Sequence, residues 1–217
     1  MSLARLRDGL LLLPDAGPDR REAAARAALA AMLDVPEAEL QLARTPQGKP
    51  VLRAPVGASY SVSYRDGLML LGACRGAEIG VDLEVVRDGL PLLDVADTFF
   101  GEEEAAFLRA QPGPLRPICF YALWTAKEAV LKATGRGIAG GLQEPRLDGK
   151  ALRPFLAGAQ DVALRPRPGT YVTLFARTVG GRLAVVAHAT VRTGGSQGVS
   201  ALRAGLHRAI LGRPRRF

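Results

Sequence analysis

Two short stretches carry the side chains best suited to chemistry. In GVDLEVV, residues 80–86, acids alternate with bulky apolar residues. Successive side chains of a strand point to opposite faces, so Asp82 and Glu84 share one face, and Val81, Leu83 and Val85 the other. The Cα atoms of the two acids would lie roughly 7 Å apart, aiming both carboxylates at one region. Either these acids are solvated on a half-exposed strand, or a cation relieves their repulsion. Mg²⁺, which takes hard oxygen ligands, suits the second reading. In WTAKEAVLK, residues 124–132, Trp124, Glu128 and Lys132 recur every four residues and share a helix face, with Lys127 close by. That is either a surface Glu128–Lys132 pair, worth about 0.3–0.5 kcal/mol, or a third carboxylate with two ammonium groups at a metal-bridged phosphate. Neighbouring Phe120, Tyr121 and Leu123 argue against scattered surface charge. The run ATGRGIAGG, residues 133–141, follows and lets backbone approach a ligand closely.

These groups need elements to hold them. Alanine and leucine at helical spacing predict a helix over 19–33, with Asp19 as N-cap. ELQLA at 39–43 alternates like a strand, and PQGKP at 46–50 reads as a turn. Residues 59–76 read as strand, turn and strand, with the turn at Arg65-Asp66-Gly67, and 77–86 as another strand. A loop with short helices covers 86–110. A second long helix covers 117–137, ended by Gly135 and Gly137. PRLDG (145–149), DVALRP (161–166), TYVTLFART (170–178) and RLAVVAHATV (182–191) read as strands. A helix with several strands thus occurs twice. TGGSQG at 193–198 reads as a linker into a basic tail, within which VSALRAGLHRAIL could form a short amphipathic helix.

Composition bounds the function. The chain has 217 residues, 48% hydrophobic and 23% charged, which suits one large or two small globular domains with a real core. The leucine run at 10–13 is far below the roughly 20 residues of a spanning helix, and no signal peptide is evident, so a cytoplasmic location without membrane attachment is expected. Cys74 and Cys119 have neither metal nor disulfide spacing and read as reduced core thiols. The net charge of +8 suits polyanionic partners, but much of it sits in the tail, where Arg192, Arg203, Arg208, Arg213, Arg215 and Arg216 face no acid. Aromatics are 6% and not interleaved with arginine, which counts against a nucleic-acid stacking platform.

GVDLE, then WTAKEAVLK, then GRGI, in that order, resemble the signature of the 4′-phosphopantetheinyl transferases of the surfactin (Sfp-like) type. QGKPVL (47–52) resembles the family's G-K-P element, SVSY (61–64) its [ILV]-S-H element, and TFFGEEE (98–104) its F-F-x-x-x-E stretch; the resemblance covers about residues 19–142. It implies transfer of the phosphopantetheine arm of coenzyme A to a serine of an apo acyl or peptidyl carrier protein, releasing adenosine 3′,5′-bisphosphate. It implies an α+β fold of two similar halves about a pseudo-twofold axis, each a long helix on a small, mainly antiparallel sheet. The halves would be 1–88 and 89–192, followed by a tail at 193–217, and one chain would complete its own cleft as a monomer. Carried across by motif, Asp82, Glu84 and Glu128 would hold Mg²⁺, and Glu128 would help deprotonate the carrier serine. Lys127 and Lys132 would neutralise the pyrophosphate, and Gly48, Lys49 and Ser63 would line the adenosine end. Tyr64 stands where the family has the histidine that meets the 3′-phosphate. A phenol cannot become cationic, so Arg20, Arg21, Arg44 and Arg65 become candidates for that phosphate, Arg65 with the reservation that adjacent strand residues face opposite ways. Glu103 and Glu104 read as solvated at a helix start, and Trp124 as packing. The competing functions are a Mg²⁺-dependent phosphohydrolase, a basic nucleic-acid-binding protein, and a coenzyme A binder without transfer.

Overall fold

The computed structural model describes residues 4–7, 9–137, 141–159 and 161–192. Ten strands and five α-helices are found among them: β1 (Ala4–Arg7), β2 (Leu10–Pro14), α1 (Arg21–Leu33), β3 (Gln41–Arg44), β4 (Pro50–Ala54), β5 (Ala58–Arg65), β6 (Leu68–Arg75), β7 (Glu78–Val85), α2 (Leu92–Phe99), α3 (Glu102–Arg109), α4 (Arg116–Thr134), α5 (Arg153–Leu156), β8 (Val162–Arg167), β9 (Thr170–Val179) and β10 (Arg182–Val191). The strands form two four-stranded sheets, ordered β1-β2-β6-β5 and β7-β10-β9-β8, and the two-stranded β3-β4. All pairings are antiparallel.

Apolar alternation decides how these layers stack. Leu10, Leu12, Leu68 and Leu70 of the first sheet meet Ile79, Val81, Leu83, Val85, Phe175 and Val186 of the second. Leu29 and Leu33 of α1 cover the opposite face of the first sheet, on Tyr60, Leu71 and Ala73. Helix α4 covers the opposite face of the second, on Val172, Leu174, Val185 and Ala187. On β7 the odd residues thus enter the core between the sheets, and Gly80 faces α4. A Cβ at Gly80 would stand 2.0 Å from the Ala129 carbonyl oxygen and 2.3 Å from the Ala133 nitrogen. The glycine therefore lets the backbone of α4 sit directly on β7.

Edge strands β5 and β7 run side by side without pairing as a ladder. Serine hydroxyls at every second residue of β5 bridge them instead. Ser59 Oγ accepts from the Ile79 N–H at 3.2 Å, Ser61 Oγ accepts from the Val81 N–H at 3.1 Å, and Ser63 Oγ donates to Asp82 Oδ1 at 2.9 Å. All three serines are buried, so the amides of Ile79 and Val81 are satisfied where a strand ladder would otherwise be needed.

Glu78–Val85 pairs with β10, so β7 belongs to the second four-stranded sheet. Several expectations are corrected. Asp19 lies in a 3-10 turn, Pro18–Arg20, and Arg20 occupies the N-cap of α1 without a side-chain cap. Residues 145–149 form no strand; the Leu147 N–H donates to Glu104 Oε1 instead, at 2.7 Å. The leucine run at 10–13 proves to be β2, and Pro50 begins β4 directly after the turn at 46–49. Helix α4 ends at Gly135, whose φ of 73° is the left-handed conformation glycine adopts without steric cost. Residues 138–140 of the glycine-rich run and the whole tail from residue 193, with its expected linker and amphipathic helix, lie outside the described residues.

Candidate active site

At the seam between β5, β7 and α4 the structure gathers Ser63, Asp82, Glu84, Glu128 and Lys132. Lys132 Nζ lies 2.6 Å from Asp82 Oδ1, 3.2 Å from Ser63 Oγ and 3.7 Å from Glu128 Oε2. Asp82 and Glu84 are nearly enclosed, at 2% and 6% exposure. Burial, then the charge of Asp82, pushes the Glu84 carboxyl up to about 7, against the pull of Arg65. Burial and Asp82 likewise raise Glu128, opposed by Lys132, Arg65 and a hydrogen bond from Trp124. Trp124 packs on Phe99, Phe100 and Phe120, the packing role expected of it.

Among the described residues, no three His, Cys, Asp or Glu side chains stand together as a ready metal cage. The carboxylates are turned toward cationic side chains instead: Asp82 to Lys132, Glu84 to Arg65. The chemistry of the donors still fits a hard divalent cation. Asp82 Oδ2 is buried with no hydrogen-bond partner, and the mutual repulsion that lifts both glutamates is what such a cation removes.

A cleft of about 360 Å³ opens from this cluster. It is lined by Glu128, Leu131 and Lys132 of α4, by Gly48, Lys49, Tyr60 and Tyr64, and by Arg44, Gln47, Gly135 and Gly137. Lys49 is not free: Nζ pairs with Glu78 and donates to the Ala133 carbonyl at 2.7 Å, tying the β3–β4 turn to the end of α4. Tyr64 is half-buried, and burial raises its phenol above its usual range, so it enters the site neutral. Arg21 stacks over the Tyr64 ring at 4.5 Å and is anchored by Asp15. Arg44 donates to the Gly48 carbonyl at 3.0 Å. A hollow of similar size at the β8–β9 turn is lined by Arg165, Arg167, Thr170 and Tyr171 and contains no carboxylate.

Lys127 and Glu104 depart from expectation together. Lys127 is fully buried; Nζ lies 2.6 Å from Glu104 Oε2 and donates to the carbonyls of Leu142 at 2.8 Å and Pro145 at 2.7 Å. It does not line the cleft, because its ammonium turns to Glu104 and to the backbone at Leu142 and Pro145 instead. Glu104 is not solvated: besides Lys127 it accepts from the Gly101 N–H at 2.8 Å, closing the N-terminus of α3. The FFGEEE and K-E motifs thus meet as a structural pair. Glu103 is exposed, as expected.

Arg65 is the residue that sequence reasoning undervalued. Its guanidinium donates to Glu84 Oε1. The signal was present as S-x-S-x-S-x-R over 59–65, a two-residue period that puts Arg65 on the face of Ser63 and not of Tyr64.

Comparison with known proteins gives the class that the chain resembles. Residues 78–169 match the model of the 4′-phosphopantetheinyl transferase superfamily. That match runs from β7 through α4 to the β8–β9 turn. Among individual proteins, the chain is 42% identical over 123 residues to slr0495 of Synechocystis sp., provisionally named a 4′-phosphopantetheinyl transferase, covering 56% of this chain and 50% of that one. It is 35% identical over 117 residues to the 4′-phosphopantetheinyl transferase HetI of Nostoc sp., covering 52% and 49%. It is 32% identical over 135 residues to the L-aminoadipate-semialdehyde dehydrogenase-phosphopantetheinyl transferase of Eremothecium gossypii, covering 60% and 48%. The chain spans about half the length of the curated relatives it matches.

Proposed function

We propose that this chain moves the 4′-phosphopantetheine arm of coenzyme A onto a serine hydroxyl of an apo acyl or peptidyl carrier protein, releasing adenosine 3′,5′-bisphosphate, in the manner of the Sfp-like transferases. The observation that carries the reading is Lys132, which lines a cleft of about 360 Å³ and bridges Asp82, Glu128 and Ser63.

Asp82, Glu84 and Glu128 would hold Mg²⁺, which when bound supplies charge neutralisation to the pyrophosphate. The chain's own residues do the rest. Glu128, its carboxylate raised toward the working range by burial, takes the proton of the carrier serine. The serine oxygen forms a bond to the phosphorus bearing pantetheine, and the bond from that phosphorus to the bridging oxygen breaks. Lys132 faces the charge growing on the leaving 5′-phosphate. Gly48 and Lys49 shape the adenosine end. Arg44, or Arg21 above Tyr64, meets the 3′-phosphate in place of a histidine. The two sheet-and-helix units would form the pseudo-symmetric halves of a monomer. Among the described residues no helix is long and apolar enough to cross a membrane.

The test is intact mass of an apo carrier protein after incubation with the chain, coenzyme A and Mg²⁺. One added phosphopantetheine is expected, and Asp82→Ala or Glu128→Ala should reduce it at least about 100-fold with the fold retained. Nucleotide release without carrier modification would replace this reading with a phosphohydrolase.

A further inference from the structure

The side chains of β5 that face β7 follow one period: Ser59, Ser61, Ser63, Arg65. The serines close the seam between the edge strands. Arg65 instead neutralises Glu84, as Lys132 neutralises Asp82 and Glu128. Three carboxylates are thus balanced by two cationic groups. The Arg65–Glu84 pair is unequal, with side-chain exposures of 42% and 8%. A guanidinium that exposed can return to water at little cost, but a carboxylate that enclosed cannot stay unpaired. Whatever displaces Arg65 must bring positive charge to Glu84. Beside it, Asp82 Oδ2 is a buried acceptor without a donor, so one entering cation would satisfy both.

We propose that Arg65 is a positioning residue that occupies Glu84 in the metal-free protein and is displaced by an entering divalent cation, so that it sets cation affinity by competition. The proposal rests on reading the acidic cluster as the cation site of the transferase, and not on the carrier chemistry. The exchange is one for one: the guanidinium moves to solvent and the cation takes its place against Glu84. The free chain therefore holds its carboxylates in order, and spares them mutual repulsion, at the expense of affinity for the cation.

The experiment is a Mn²⁺ titration of the full chain without coenzyme A, read by the electron paramagnetic resonance signal of free Mn²⁺. Arg65→Gln removes both a competitor and a like charge, so it should bind Mn²⁺ about tenfold more tightly than the parent. Arg65→Lys keeps the charge and should stay within about threefold of the parent. Asp82→Asn should bind far more weakly. In a Glu84→Gln background, the gain from Arg65→Gln should shrink to the part due to the lost like charge, because the partner it competes for is gone. Melting in chelator supplies a second readout: Arg65→Gln should melt lower than the parent and gain more from added Mn²⁺. Equal or weaker Mn²⁺ binding by Arg65→Gln overturns the proposal, and so does an undiminished effect of Arg65→Gln in the Glu84→Gln background. No saturable binding by any of the proteins overturns it together with the cation site. The expected Mn²⁺ results without carrier loading would remove the transferase reading alone and leave the role of Arg65 standing.

Discussion

Lys127→Met tests whether the first lysine of the WTAKEAVLK motif is a ligand group or a structural one. The ammonium has three oxygen partners at 2.6–2.8 Å and no exposure, and it lies 5.3 Å from the Phe100 ring centre. Burial pushes its pKa below lysine's usual range, and Glu104 pulls it back. Methionine fills the space but donates nothing. Two carbonyls and a buried carboxylate lose their donor, which for one member of a buried pair costs about 3–5 kcal/mol. The lower end applies here, because Glu104 keeps the N–H groups of Gly101 and Leu147. At about 2–4 °C per kcal/mol for a chain of this size, the melting point should fall roughly 10 °C. Adding Glu104→Gln removes the stranded charge and should recover about 2 kcal/mol in urea denaturation. The Michaelis constant for coenzyme A should change less than about threefold, whereas Lys132→Met should slow transfer about 100-fold. A Lys127→Met protein of parental stability but with much weaker coenzyme A binding would refute this account and return Lys127 to the cleft.

Other perturbations probe different links. Gly80→Ala places a methyl against the Ala129 and Ala133 backbone; it should cost about 1–3 kcal/mol or more in urea denaturation and slow transfer about 100-fold as Glu128 is pushed from Asp82, and parental values for both would refute the contact. Glu84 titrates near 7 instead of 4.5, so its raised folded pKa favours the protonated native state. With chelator present, stability should therefore fall by about 2–3 kcal/mol between pH 4.5 and 7, Mg²⁺ should reverse the fall, and a flat profile would count against the shift. Burial holds the thiols of Cys74 and Cys119 up at about 11, so both should resist iodoacetamide at pH 8 in the native protein and react after unfolding.

Much of the site was legible before any coordinates. Alternation in GVDLEVV put Asp82 and Glu84 opposite Val81, Leu83 and Val85, and the core between the sheets takes those apolar residues. The spacing of Glu128 and Lys132 put them on one helix face, and both line the cleft. The strand at 145–149 failed because its composition does not reveal that the Leu147 amide is claimed by Glu104, distant in sequence. Lys127 was misplaced for a related reason: adjacent helix positions point about 100° apart, and only the packing of α4 says which one faces the acids.

The sequence by itself determined the local periods: which residues alternate on a strand, which recur on a helix, and hence which acids and lysines travel together. Those follow from backbone geometry, which is the same in every protein. Tertiary structure alone decided the charge pairing. Arg65 met Glu84, Lys132 met Asp82 and Lys127 met Glu104 because Gly80 and the serine seam set how closely α4, β7 and β5 approach. Electrostatic pairing depends on distances across the chain fold that no local period encodes.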